Sequence, residues 1–429
     1  MKQLYQTRSL LLVFIAVWLA NLDVLAQPEP VFLRLTGVAV GSVGGISTDL
    51  QVVGKHAYRS WAGDTNRPGG LEIFSVTNPT APFRVGSYES RAPVRGIEVV
   101  GQYAYLAEGT TGFFTNDPGV LEILDVSDPA NPFLVAHIDT PGRANGIRVA
   151  GNLAYVAESA RWTGSNFLGA LEILDISTPT NALRVGAFDT PGSVTSIDVS
   201  DNHAYLTDGV TDLQVLNVSD PAHPRRVGIY QPDLSRCAFE PLGPANYVEV
   251  IGNRAYSAGE NGLHMLDISD PSNPARITDN SCMPIYGLGV AGHHAYMVLY
   301  SSLLNTYFLH IADTTNPTNW AWVGSKGDWH PGPMQIVDNL LYLATNPLLV
   351  YEISDRPAIT SRFFDAESLI LTWDFAPGFA LQSTPSLRNP FWGDVPGSEN
   401  QNGVELRVTS GGGFFRLARS QLTPVMVGE

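Results

Sequence analysis

The sequence predicts an all-β chain: a seven-bladed β-propeller closed by an N-terminal strand, followed by a small β-sandwich-like domain. Three observations carry this. One phrase recurs, as "LEILDVSDPANPF" (121–133), "LEILDISTPTNAL" (171–183) and "LHMLDISDPSNP" (263–274). A tight turn followed by Ala-Tyr recurs at Tyr58, Tyr105, Tyr155, Tyr205, Tyr256 and Tyr296, with a weaker copy at Tyr342, every 40 to 51 residues. That interval suits a four-stranded blade. Finally, 41 Gly and 30 Pro make turns plentiful and long helices improbable.

The elements follow in order. Lys2 and Arg8 flank the apolar run "LLLVFIAVWLA" (10–20), and "VLA" (24–26) offers small residues for cleavage. Residues 1–26 therefore read as a secretory signal peptide, since the run is short for a membrane span. The expected location is secreted, periplasmic or on the cell surface. "PVFLRLTGVAV" (30–40) resembles "APFRVGSYES" (81–90), the outer strand of the first repeat. It is expected to complete the seventh blade and so leave no open sheet edge. Within a repeat, strands a, b, c and d are "GIEVV" (96–100), "AYLA" (104–107), "LEILDV" (121–126) and "FLVAHID" (133–139). The link "SDPANP" (127–132) fits a type I turn, in which Ser or Asp caps backbone amides and Pro presets φ. The propeller spans 30–357, a distinct β module 358–420, and a tail 421–429.

"LEILD" followed by "VSDP" resembles the LVIVD repeat of secreted and surface proteins from bacteria and archaea. The resemblance implies a propeller over about 30–357 and no defined reaction, because such folds host many functions. The chain departs from it at Glu72, Glu122 and Glu172, where the family often has an apolar residue. "SLILTWDFAPGFALQSTPSLRNPFW" (368–392) and "VELRVTSGGGFFRLARS" (404–420) resemble small C-terminal β modules that follow repeat domains in secreted bacterial proteins. They suggest a fibronectin-III-like sandwich.

The charge balance narrows the partners. With 41 acidic against 25 basic residues and a net charge of −16, the chain lacks the basic footprint that phosphate backbones require. No G-x-S-x-G, H-E-x-x-H or phosphate-binding loop is present. The expected partner is an extracellular protein, a glycan or a small polar ligand, bound by a monomer with no transmembrane span in the mature chain.

The b–c and d–a connections lie on one face of the ring and vary most in length, so binding is expected there. The b–c stretches 59–70, 108–120 and 158–170 carry Trp61, Phe113 and Trp162; a long d–a stretch covers 231–246. Glu108, Glu158 and Asp208 stand three residues after the marker tyrosines. Arg95, Asn145 and Asn246, with Thr48, Thr195 and Tyr286, begin the innermost strands. Trp329 and His330 lie in the last d–a connection. Cys237 and Cys282 fall in consecutive d–a connections, and export would favour a disulfide between them. Asp125, Asp175, Asp267 and Asp313 close the repeated phrase. They read as turn caps, with calcium ligation as the alternative. No other cofactor is expected. A binding propeller is the leading reading. The rivals are an extracellular hydrolase or lyase working through carboxylates, and a calcium-stabilised surface protein.

Overall fold

The computed structural model describes residues 31–354 except 42–44, 65–66, 110–117, 163–166, 233–244, 261, 282–283, 302–304, 319 and 330–331, and beyond them only short strands between 359 and 419. Seven four-stranded antiparallel sheets follow one another. Blade 1 is Ile46–Val53, His56–Asp64, Arg67–Ser75 and Phe83–Glu89; blade 2 is Val94–Val100, Tyr103–Glu108, Gly119–Asp125 and Phe133–Thr140. Blade 3 is Ala144–Ala150, Leu153–Trp162, Phe167–Asp175 and Leu183–Thr190; blade 4 is Ser196–Ser200, His203–Thr207, Leu213–Asn217 and Arg225–Tyr230. Blade 5 is Ala245–Ile251, Arg254–Gly259, Gly262–Asp267 and Ala275–Ser281; blade 6 is Ile285–Ala291, His294–Ser301, Thr306–Asp313 and Ala321–Trp329. Blade 7 takes Met334–Val337, Leu340–Ala344 and Leu348–Ser354, and its fourth strand is the N-terminal Phe32–Ala39, antiparallel to Leu348–Ser354. The expected closure is therefore present. The a strands of successive blades contact one another all the way round, blade 7 to blade 1 included.

The core lies between blades. Leu121 and Ile123 of blade 2 pack with Ile147, Val156 and Leu174 of blade 3. The same contact recurs between blades 3 and 4. All seven marker tyrosines are buried. They serve the scaffold, each adding a large apolar body to an interblade seam.

The repeated phrase has a second structural task. Asp125 accepts the Ser127 amide at 2.8 Å, and Asp175, Asp267 and Asp313 accept the amides of Ser177, Ser269 and Thr315 at 2.8, 2.9 and 2.7 Å. The carboxylates are thus used as turn caps. In blades 1, 2, 4 and 5 the proline of the corresponding turn presses on the d strand of the preceding blade. A Cβ at Gly86, Gly186 or Gly228 would run into the carbonyl of Pro129, Pro221 or Pro271, and one at Gly37 of blade 7 into that of Pro79. Glycine is needed there because two backbones meet.

Two further antiparallel sheets lie in the C-terminal part. One joins Ile359–Phe363, Ser368–Trp373 and Gly403–Arg407; the other joins Gly393–Asp394, Phe379–Thr384 and Phe414–Arg419. No helix among the described residues is long and apolar enough to cross a membrane.

Candidate functional site

Two expected loops are strands instead. Residues 59–70 and 158–170 fall largely within the paired arms His56–Asp64 with Arg67–Ser75 and Leu153–Trp162 with Phe167–Asp175. Trp61, expected as an exposed contact, is buried at 1 % exposure. It sits opposite Gly70 in the hairpin, and the glycines there leave it room. Trp162 pairs with Phe167 and Trp329 with Tyr307 through their backbones. Phe113, His330, Cys237 and Cys282 lie outside the described residues.

The axial residues share a geometric cause. Thr48, Arg95, Asn145, Asn246 and Tyr286 are each the extra residue of a β-bulge where strand a pairs with strand b. A bulge re-aims its side chain. Two of these residues reach across blades: Thr48 Oγ1 donates to the Val94 carbonyl at 2.7 Å, and Asn145 Nδ2 to the Val194 carbonyl at 2.8 Å. Thr195 bonds within its own blade, to Thr207. Arg95 and Asn246 are half-buried, and a neighbouring guanidinium at Arg143 adds to burial in lowering the Arg95 pKa.

The three carboxylates expected at the mouth, Glu108, Glu158 and Asp208, are wholly buried. Glu108 accepts the Ala92 amide at 3.2 Å, and Glu158 the equivalent Gly142 amide at 3.1 Å. Asp208 accepts from the Val210 and Thr211 amides at 3.0 and 2.6 Å and from the Gln214 side chain. The next layer is also polar: Glu72, Glu122, Glu172, Gln214 and His264, all the second residue of the repeated phrase, are buried between blades. Their partners differ from blade to blade, and some come from the preceding blade. Arg59 pairs with Glu72 in blade 1, and Arg184 with Glu172 at 2.6 Å in blade 3. In blade 5, His264 lies 3.5 Å from Asp212 and 3.4 Å from the Tyr230 hydroxyl. In blade 2, Glu122 meets His137 at 3.4 Å, the Tyr88 hydroxyl of blade 1, and Glu108 itself.

The last of these contacts raises a carboxyl pKa. Burial, then the Glu122 charge and its hydrogen bond, push the Glu108 pKa up to about 9 against the opposing Ala92 amide. Glu108 is neutral at pH 7 and bonds to Glu122. Glu108→Gln preserves shape, acceptor and donor, so it is expected to change stability by under about 1 kcal/mol at pH 7. Glu108→Ala, which strands Glu122, should cost about 2–4 kcal/mol. Urea unfolding of both variants decides it: a loss from the Gln variant as large as from the Ala variant would refute a protonated Glu108.

A charged ring around the axis was not anticipated. Gln51, Glu98, Arg148, Asp198, Glu249 and Gln335 occupy one register position of strand a, opposite the marker tyrosines. Gln51, Asp198 and Gln335, together with Asp49, cap the open backbone edge of the next blade. The Ile97 amide donates to Asp49 at 2.9 Å and the Val250 amide to Asp198 at 2.7 Å; the amides of Val99 and Val52 donate to Gln51 and Gln335. Arg148 lies 3.6 Å from Glu98 and 3.4 Å from Asp198. Four carboxylates thus share one guanidinium. Burial, outweighing Arg148 and reinforced by Asp49 and Asp198, raises Glu98 to about 7; burial and Asp198 do the same to Glu249. Folded molecules therefore hold protons that unfolded ones release above about 4.5. The ring's stabilisation is complete below that pH and is lost as pH rises through about 7. Asp175 and Asp267, whose amide bonds lower their pKa, act in the opposite sense and below this window. The melting temperature is expected to be higher at pH 5 than at pH 8, with Glu98→Gln and Glu249→Gln flattening the difference. A melting temperature that rises from pH 5 to 8 would contradict the ring's raised values.

On the same face, blade 6 carries a tyrosine cluster. Tyr286 and Tyr300 are exposed at 37 % and 40 %. Tyr307 lies 5.5 Å from Tyr286 and 5.0 Å from Tyr300, ring centre to ring centre. Tyr286 was legible as a mouth residue. Tyr300 and Tyr307 were not, although a signal existed: they stand where blade 2 has Gly109 and Gly119. Among the described residues no group of three or more His, Cys, Asp or Glu is placed to hold a metal ion.

The family comparison agrees with this architecture. The LVIVD repeat family matches residues 93–140, 141–190, 191–231 and 242–278, which are blades 2 to 5. No curated protein matches the chain. Among solved structures, the computationally designed Ika8 protein, in a P63 crystal packing, aligns with 74 % of this chain and 99 % of its own at 10 % identity and a TM-score of 0.46. With four matched repeats inside a closed ring of seven blades, the chain is an LVIVD-repeat β-propeller.

Proposed function

We propose that this propeller is a non-catalytic binding protein that engages its partner on the face of the b–c and d–a connections. One observation carries the reading. The carboxylates a hydrolase or lyase would use there are enclosed, whereas aromatic side chains of the same face are exposed. Glycoside hydrolysis needs two carboxyl groups about 5–10 Å apart around an open cleft. Glu108, Glu158 and Asp208 belong to three different interblade seams and serve backbone amides. The basic-then-apolar residues 2–20 and the small residues 24–26 support export, and with it a Cys237–Cys282 disulfide. The strand order beyond 358 supports a small sandwich-like module.

The test is a glycan, peptide and metabolite binding screen on the chain beginning at residue 27. It is repeated with residues 110–117 shortened and, separately, with substitutions in the opposite-face turns around Gly101 and Gly151. Binding lost with the first change alone is the expected result. Binding lost only with the second would overturn the assignment of the face.

A further inference from the structure

Repetition supplies an internal control: a feature present in one blade and absent from its equivalents is not required by the fold. Blade 6 has such a feature. The bulged residue that is Thr48, Arg95, Asn145 or Asn246 elsewhere is Tyr286. The position after strand b that is Gly109, Ser159 or Gly209 elsewhere is Tyr300, and the c-strand position of Gly69, Gly119 and Gly169 is Tyr307. At Gly119 a side chain would strike the Ala144 amide and the Gly142 carbonyl. Blade 6 carries a tyrosine at that position instead.

The three rings are mutually inclined, at 76°, 83° and 53°, with centroids 5.0 to 6.4 Å apart. They form an inclined, edge-to-face cluster rather than a flat platform. A single point can therefore lie within about 6 Å of all three centroids, the reach of a cation–π contact. The rings are held in place. The Tyr300 hydroxyl donates to Asn305 Oδ1 at 2.7 Å, and the Tyr247 hydroxyl of blade 5 donates to the Tyr286 carbonyl at 3.0 Å. The charged group acting on Tyr286 is Glu260; its other neighbours in that field, Tyr300 and Tyr307, are neutral phenols, and none is basic. The whole chain carries −16, so the surrounding field favours a cation.

We infer that Tyr286, Tyr300 and Tyr307, with Glu260 beside them, form a binding site for a compact alkylated ammonium group. Ring faces and edges suit an alkylated cation, which sheds water readily. A primary ammonium is strongly hydrated and needs acceptors in close contact. Stacking on sugar rings would instead call for a flat, open aromatic surface. The inference deepens the binding reading above and rests on the same face.

The experiment titrates the full mature chain with choline and with tetramethylammonium by calorimetry and ligand-observed NMR. The control is choline's neutral isostere, with carbon in place of the ammonium nitrogen. Both cations are expected to bind about fivefold or more tighter than the isostere. Tyr286→Ala and Tyr300→Ala should each weaken them at least about fivefold, Tyr300→Phe should retain binding, and Glu260→Gln should weaken it. The thermal midpoint, read for each variant, confirms that these exposed substitutions leave the fold intact. Equal binding of cation and isostere, or indifference to the tyrosine variants, would overturn the inference. A screened ligand that depends on residues 110–117 and ignores Tyr286 and Tyr300 would remove the ammonium site and leave the binding face standing.

Discussion

Arg59→Leu is expected to destabilise the folded chain by about 3–5 kcal/mol, the cost of leaving a buried charge without its partner. Arg59 and Glu72 are both almost wholly enclosed and bonded to each other. Arg59 also donates to the Thr345 carbonyl of blade 7 and lies 5.6 Å from the Phe74 ring centre. It therefore stitches together the two blades where the ring closes. Arg84, at 3.9 Å from Glu72 and a third exposed, is too far away and too wet to replace it. The chain supplies its own apolar alternative. Leu343 and Leu349 hold the same paired positions in blade 7 that Arg59 and Glu72 hold in blade 1. Arg59→Leu with Glu72→Leu is accordingly expected to recover most of the loss, because buried ion pairs are often matched by packed hydrocarbon. Urea midpoints for the two single variants and the double variant complete the cycle. A double variant as unstable as Arg59→Leu alone would show that the pair is not exchangeable.

Gly37→Val should be the most damaging glycine substitution in the ring, at or above the upper end of the roughly 1–3 kcal/mol typical of overpacking. Gly37 lies on Phe32–Ala39, the strand that closes blade 7, and a Cβ there collides with the Pro79 carbonyl and the Pro82 ring of blade 1. A closed ring cannot widen one seam without straining the others. The outer strand is then the part able to leave. Limited proteolysis should cut near residues 31–40 in the variant before the rest of the propeller unfolds. Gly101→Asn is the matching control. Its φ is +62° with nothing within 4 Å, and Asn tolerates that conformation. Equal thermal midpoints for Gly37→Val and the wild type would refute the close contact.

Much of this was legible in one dimension. Period-two alternation, the Ala-Tyr marker and the Ser-Asp-Pro turn are local signals, each set by a strand or turn within a few residues of itself. They determined the number of blades, the four strands of each, the capping role of Asp125 and its counterparts, and closure by Phe32–Ala39. The stretches at 59–70 and 158–170 misled because glycine and aromatic residues near a turn look like a loop. Here they lengthen a hairpin around Trp61 and Trp162. Alternation also shows that a strand has two faces without saying what covers either. Glu108 reads as a carboxylate of the mouth, and Glu122 only as a departure from the repeat, because charge is ordinarily outside. Tyr88 and Ala92, which help enclose them, come from the preceding blade and the link to it.

The polar ring at the axis has the same origin. Gln51, Glu98, Arg148, Asp198, Glu249 and Gln335 recur at one phase of the repeat, yet they meet only because closing seven blades brings their inner edges together. The sequence by itself determined the repeated unit and its count, since these depend on local hydrogen bonds and side-chain period. Only the tertiary structure decided which carboxylates are sealed and protonated, which side chains face the axis, and that three tyrosines of blade 6 cluster with two of them exposed. Those outcomes depend on contacts between residues far apart in the chain, and ring closure alone supplies them.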